Sequence, residues 1–216
     1  MQTAGKEASP DVVFHLAAYY TAEHSYAEID ALIAANVTFG TKLLDAMARH
    51  GVHRLVYARS SWQHYRGDSY EPANLYAASK EAFDAMVCFY TAARELQAIG
   101  LTLFDTYGED DRRNKLLAML PKLSRQGKHL ALSQGEQHVD FVHGEDAARA
   151  FLLAAQYLLE GRAELCGDYV VSSGQTVTLR GLIRRYEALT GEQLLVDWGA
   201  RPYRAREVMM PWRGGR

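Results

Sequence analysis

Tyr76 and Lys80 stand four residues apart in LYAASK, and Ser60 lies 16 residues before Tyr76, directly followed by Ser61. A helix presents positions i and i+4 on one face, so the phenol and the ammonium can address one object. A tyrosine with an ordinary pKa near ~10 is a poor base at neutral pH. A lysine ammonium beside it favours the phenolate. The pair is therefore suited to giving a proton to, and taking one from, a hydroxyl or carbonyl oxygen. A serine hydroxyl at the same oxygen would orient it and stabilise developing charge. The chemistry implied is alcohol–ketone interconversion, which also needs a hydride carrier. The bland alternative is a half-buried tyrosine and a solvated lysine on an ordinary helix.

These residues need elements to hold them. DVVFHLAA (11–18) is a continuous apolar run of the kind found in a parallel strand buried on both faces. A helical pattern runs from about Tyr26 to His50 and is closed by Gly51. HRLVYA (53–58) is a second buried strand, ending at the serine pair. Asn74 caps the helix that carries Tyr76 and Lys80, and that helix ends before Gly100. LTLFDTYG (101–108) is a third strand. Alternating strands and helices predict a doubly wound α/β parallel sheet with right-handed crossovers.

After Gly108 the elements shorten. Helices are expected over 112–126, 145–159 and 178–189, and strands over 137–143, 168–174 and 194–198. Residues 1–108 then form the sheet domain and 109–216 a smaller carboxyl-terminal α/β substrate lobe, with elements around 137–172 free to return to the sheet. Ligands of open α/β sheets bind in the crevice at the strands' carboxyl ends.

Composition narrows the class. The chain has 216 residues, is 48% hydrophobic and 23% charged, and has a formal net charge of −2. No one-sign field points to nucleic acid or a membrane surface. Two cysteines without a C-x-x-C exclude a disulfide framework and a cysteine zinc site, and suit a reducing, cytoplasmic setting. MQTAGKEASP lacks the apolar core of a signal peptide. No run approaches the ~18 apolar residues of a membrane span. His15 and His143 read as structural, and no spacing suggests a metal site.

Several motifs in order resemble the extended short-chain dehydrogenase/reductases, the NAD-dependent epimerase/dehydratase family acting on nucleotide sugars. HLAA (15–18) resembles the strand end that lies against the cofactor, and NVTFGT (36–41) the family's N-V-x-G-T helix. LFDTYG (103–108) resembles the strand before the substrate loop. DFVHGEDAARA (140–150) and YVVSSGQTVTLRGLI (169–183) resemble its later elements. SWQHY and YRAREVMMPW (203–212) look like a subgroup near CDP-deoxysugar reductases and epimerases. The resemblance implies an incomplete doubly wound (Rossmann-type) parallel sheet and a homodimer paired through its long helices, one of them the apolar helix of 74–97.

By that resemblance Ser60 matches the catalytic Ser/Thr, Tyr76 the acid/base, and Lys80 the residue that lowers the tyrosine pKa and holds the nicotinamide ribose. Ser60 and Ser61 are hard to separate; Ser60 fits the position after the strand better. Ala17, Ala18 and Asn36 join Tyr76 and Lys80 as the contacts to NAD or NADP. The family's dehydratases carry Asp-Glu after the catalytic Thr, where an acid protonates a leaving hydroxyl. Ser61 and Trp62 occupy those places, leaving 4-epimerisation or 4-keto reduction of a nucleotide sugar. Ser61 and Trp62, with Gln63 and His64, are expected at the sugar; a surface aromatic loop is the alternative. Arg112, with Arg113 and Lys115, and Arg204 are candidates for a diphosphate, which pairs well with guanidinium groups. Asp105 stands where many members have Asn, Glu109 where Pro is usual, and His138 near the place of a common diphosphate-binding Arg.

The family's opening G-x-x-G-x-x-G unit cradles the dinucleotide pyrophosphate on backbone amides. No such motif occurs here, and ten residues precede the first strand. About three strands, two helices and part of the tail of the family pattern are expected to be missing, leaving an apolar edge at 11–18. Two readings follow: an NAD(P)-dependent epimerase or ketoreductase, or a non-catalytic remnant that serves in interaction or dimerisation.

Overall fold

The computed structural model describes residues 10–109, 111 and 115–214. Four parallel strands form the main sheet in the order β1-β2-β3-β7: β1 (Val13–His15), β2 (Arg54–Ser60), β3 (Gln97–Leu103) and β7 (Gly167–Val171). Alternate side chains of β2 and β3 serve two cores, which is why these segments read as continuous apolar runs. Leu55, Tyr57 and Ala98 pack on one face against Leu44, Met47, Phe83, Val87 and Tyr90. Val56, Ile99 and Leu101 pack on the other against Phe151, Ala154, Ala155 and Leu158.

The first face is covered by two helical stretches. Tyr26–Glu28 is a 3₁₀ turn, followed by α1 (Ile29–Ile33), a π turn (Ala34–Thr38) and α2 (Phe39–Arg49). The long helix expected over 26–50 is thus interrupted by a wider turn centred on Asn36. Gly40 lets α2 approach closely: a Cβ there would overlap the Phe83 ring and lie 3.2 Å from His15 Nε2. The second helix, α3 (Leu75–Arg94), begins at Asn74, whose side chain accepts a hydrogen bond from the Ala77 amide at 2.9 Å.

Helix α3 ends at Glu95 in a left-handed conformation, φ 55°. It ends before Gly100, as expected, but stops at Arg94 instead of reaching 97, where β3 begins. Gly100 lies inside β3, because a side chain there would collide with Tyr57, Arg59 and Asp168. The strand expected over 101–108 is two strands, β3 and β4 (Asp105–Tyr107), parted at Phe104. Phe104 turns into a separate core with Val142 and Ala147, and β4 leaves the main sheet.

β4 pairs in parallel with β6 (His138–His143), which pairs antiparallel with β8 (Thr176–Thr178). A further parallel pair, β5 (Leu130–Leu132) and β9 (Val196–Trp198), packs with α4 (Leu116–Gln126) and α6 (Leu179–Thr190) around Leu120, Leu130 and Ile183. Between β6 and β7, α5 (Gly144–Leu159) covers the second face of the main sheet. Residues 144–171 therefore belong to the sheet and its cover. Among the described residues no helix is long and apolar enough to cross a membrane.

Candidate active site

The sequence's central trio lies at the end of β2 and in the first turns of α3. Ser60 is the last residue of β2 and caps a 3₁₀ turn (Ser61–Gln63), its Oγ accepting from the Trp62 amide at 3.3 Å. Tyr76 and Lys80 occupy successive turns of α3 on one side. Lys80 is 4% exposed and has no hydrogen bond or ion pair among the described residues. Burial and the nearby Arg59 hold its amine down at about 8, although Asp84 pulls the other way. Burial, with the Tyr20 phenol beside it, pushes Tyr76 up to about 12. This is opposite to the shift expected of a lysine neighbour: removal from water disfavours the charged form of both groups, and the causes of the Tyr76 shift are burial and Tyr20, not Lys80.

Lys80 also acts on His15, at the end of β1. His15 is buried against the rings of Phe39 and Phe83, 5.8 and 4.9 Å between centroids. Burial first, then the Lys80 charge, lower its pKa to about 4, so it is neutral at pH 7. No group of three or more metal-ligating side chains occurs among the described residues.

Ala17 and Ala18 follow β1 and are exposed, with no side chain beyond Cβ to bar a flat ligand. Asn36 is 2% exposed. Its Oδ1 accepts from the Tyr19 amide at 2.7 Å, and its Nδ2 donates to the Tyr19 carbonyl at 3.0 Å and to Ser79 Oγ at 2.9 Å. Asn36 therefore fastens the loop after β1 to α3, one residue before Lys80. Exposed alanines and a lysine buried along its stem, whose ammonium keeps unused donors and some contact with solvent, are the features here that fit a nicotinamide ribose.

A cavity of about 690 Å³ opens between the carboxyl ends of the strands and the smaller lobe. Ser61, Trp62, Asp105 and Arg204 all line it, as does His138. Arg112 and Arg113 lie outside the described residues. Ser60, Tyr76 and Lys80 are not in the lining; Tyr20 is. The Tyr20 ring meets Tyr76 edge-on at 5.2 Å and Trp62 at 5.8 Å, so it stands between the acid/base candidate and the cavity. The Arg204 guanidinium lies 6.0 Å from the Trp62 ring centre.

Two expected sugar-side residues face elsewhere. Gln63 is fully buried and donates to Glu81 at 2.6 Å and Asp84 at 2.7 Å. His64 is not in the lining itself; it stacks at 3.9 Å on Trp212, which is, and so backs the cavity wall instead of facing the sugar. The reason is the 3₁₀ turn, which aims Trp62 at the lobe and Gln63 at α3. Sequence reading also missed Arg59 and Asp140. Arg59 pairs with Asp84 at 2.8 Å and Asp168 at 2.9 Å. Asp140, on β6, accepts from Ser172 Oγ at 2.5 Å and from the Ser173 amide and hydroxyl at 3.0 and 2.7 Å. It ties the cavity wall to the end of β7. A charged Arg59 inside an apolar strand was the available signal for the first; nothing local marked Asp140.

Residues 1–171 match the NAD dependent epimerase/dehydratase family, and the chain belongs to that family. It is 28% identical over 199 residues to the 2-alkyl-3-oxoalkanoate reductase of Stenotrophomonas maltophilia (strain K279a), covering 85% of this chain and 58% of that protein. It is 25% identical over 227 residues to the UDP-glucose 4-epimerase of Streptomyces lividans, covering 94% of this chain and 64% of that protein. The chain thus spans less than two thirds of the length of either relative. Among solved structures, MoeE5 in complex with UDP-glucuronic acid and NAD superposes with a TM-score of 0.79 at 25% identity, covering 94% of this chain and 69% of that one. The UDP-glucose 4-epimerase from Brucella ovis in complex with NAD superposes at 0.84 with 21% identity, covering 98% and 71%, a likeness of fold.

Proposed function

We propose that the chain carries the catalytic and substrate-binding part of an NAD(P)-dependent nucleotide-sugar oxidoreductase of the 4-epimerase or 4-ketoreductase type. What supports this reading is the placing of Ser60 at the end of β2 and of Tyr76 and Lys80 in the first turns of α3, next to a cavity lined by Ser61, Trp62, Asp105 and Arg204. Relatives and structural neighbours named as UDP-sugar epimerases, or bound to UDP sugars and NAD, support the substrate class.

In this reading Tyr76 acts as the phenolate, taking the proton from the sugar 4-hydroxyl as it becomes a ketone and returning it on reduction, so its raised pKa would have to fall when cofactor and sugar bind. Ser60 Oγ donates to the same oxygen and stabilises its developing charge. Lys80 offers its free donors to the nicotinamide ribose and places a positive charge beside Tyr76. Ala17 and Ala18 let the ring approach, and Asn36 holds their loop. Bound NAD or NADP supplies the hydride acceptor and donor. Arg204 faces the diphosphate. Tyr20 must turn aside for the sugar to reach Tyr76, and the displaced ring can stack on Trp62.

Conversion of UDP-glucose to UDP-galactose, or NADPH-dependent reduction of a 4-keto nucleotide sugar, tests the reading. Turnover that falls by about 10²-fold or more in Tyr76→Phe, as expected for loss of a general acid/base, supports it. Turnover unchanged by Tyr76→Phe would refute Tyr76 as the proton carrier.

A further inference from the structure

Gln63 occupies an unusual position. It is fully buried, and its carboxamide reaches three partners on two elements. Its Oε1 accepts from the Ser60 backbone amide at 2.9 Å, while its Nε2 donates to Glu81 at 2.6 Å and to Asp84 at 2.7 Å. The orientation of the amide is dictated by these partners, since the Ser60 amide can only donate and ionised carboxylates only accept. A glutamate here would face two carboxylates, and a lysine could not accept from Ser60. A carboxamide of this length meets both demands.

The same carboxylates are anchored from the sheet. Arg59, the neighbour of Ser60, donates through Nε to Asp84 at 2.8 Å and pairs with Asp168 of β7 at 2.9 Å, and its Nη1 donates to Thr102 at 3.4 Å. Glu81 and Asp84 flank Lys80 on α3, and Asp84 lies one turn beyond it. The end of β2 is thus stitched to the helix at the level of Lys80 by two consecutive links, Arg59 to Asp84 and Gln63 to Glu81 and Asp84. Charge-assisted hydrogen bonds among buried groups are strong and geometrically exacting.

We propose that Gln63 is a positioning residue that holds the Ser60 hydroxyl in register with Tyr76 and Lys80, with Arg59 and Asp84 as the other half of the brace. The proposal rests on the function proposed above, in which Ser60 and Tyr76 address one oxygen. Gln63 itself touches neither cavity nor reacting atoms. It acts through the turn it closes.

Gln63→Met keeps the length and removes both donor and acceptor. Two readouts need no ligand. Hydrogen exchange at the Ser60 amide is expected to quicken about tenfold with loss of its acceptor, while Val56 and Ile99 keep wild-type protection and report an intact sheet. The Tyr76 phenol, whose pKa burial raises, is expected to titrate at lower pH in Gln63→Met than in the wild type, followed by ¹³Cζ NMR of both, as water enters the loosened turn. A purely structural glutamine would leave that titration in place, so an unchanged Tyr76 midpoint in folded Gln63→Met overturns the proposal. Gln63→Asn, which keeps the amide and shortens its reach, gives the same decision if Gln63→Met does not fold. Where the wild type turns over UDP-glucose, Gln63→Met is expected to lower kcat with KM little changed, and to add little in a Ser60→Ala background. Full additivity there overturns the proposal as well. A wild type without turnover refutes the function and leaves the exchange and titration results to decide Gln63.

Discussion

A buried lysine without a partner among the described residues is a costly choice for a folded chain. The Lys80 amine titrates near 8 in the fold and at 10.5 when free, a difference of roughly 3 kcal/mol at about 1.36 kcal/mol per pH unit. Between those values the unfolded chain binds a proton that the folded chain has released. The Lys80 contribution therefore raises stability as pH climbs from 8 to 10.5, and the burden of the buried ammonium is complete below pH 8. Lys80→Met is expected to stabilise the fold at pH 7, by up to about 3 kcal/mol, and to flatten that alkaline rise. Urea unfolding at pH 7 and across pH 8–10.5 checks this. A less stable variant that keeps the wild-type rise would contradict it. A residue that weakens its own fold fits the binding role proposed for Lys80. Tyr76 and Lys80 were legible as a pair because helical spacing alone puts them on one face. Gln63 was not: its side of the turn depends on carboxylates 18 and 21 residues away.

The strands were legible wherever both faces are covered, since Leu55, Val56, Tyr57 and Ile99 must all be apolar. Boundaries failed where glycine or a core change intervened. Gly100 looked like punctuation between helix and strand, yet it sits mid-strand to make room for Tyr57, Arg59 and Asp168. Gly100→Ala is expected to cost about 1–3 kcal/mol through overpacking, and to disturb the Arg59–Asp168 pair. Thermal unfolding measures it; a change within about 0.5 kcal/mol, the usual range of a surface substitution, would mean the site relaxes freely. The π turn around Asn36 was hidden because its cause is tertiary. The turn brings the Asn36 amide to Tyr19 and Ser79, and such turns often occur at functional positions.

In the whole molecule, the sheet's carboxyl edge and the smaller lobe enclose one cavity, and the chain's last described stretch closes it. Arg206 donates to Glu71 at 3.0 Å and lies 4.2 Å from the Tyr65 ring centre, while Trp212 Nε1 donates to Asp68 at 2.7 Å. These contacts join residues more than 130 apart in sequence, so the cavity's closure could not be read locally. At the opposite side of the sheet, β1 pairs only with β2 among the described residues, and Phe14 and Leu16 are exposed beside it. The outer side of α3, where a second subunit was expected, carries exposed Phe89 and Cys88.

The central claim is that Lys80, Tyr76 and the alanines after β1 form a nicotinamide half-site. Calorimetric titration of NADH into the purified chain, with Lys80→Ala and Tyr76→Phe alongside, tests it most directly. Saturable binding that weakens about tenfold or more in Lys80→Ala, the loss expected when a charged donor is removed, is the predicted result. A folded chain that takes up no NADH to millimolar concentration, or that binds it equally well without Lys80, would contradict the account.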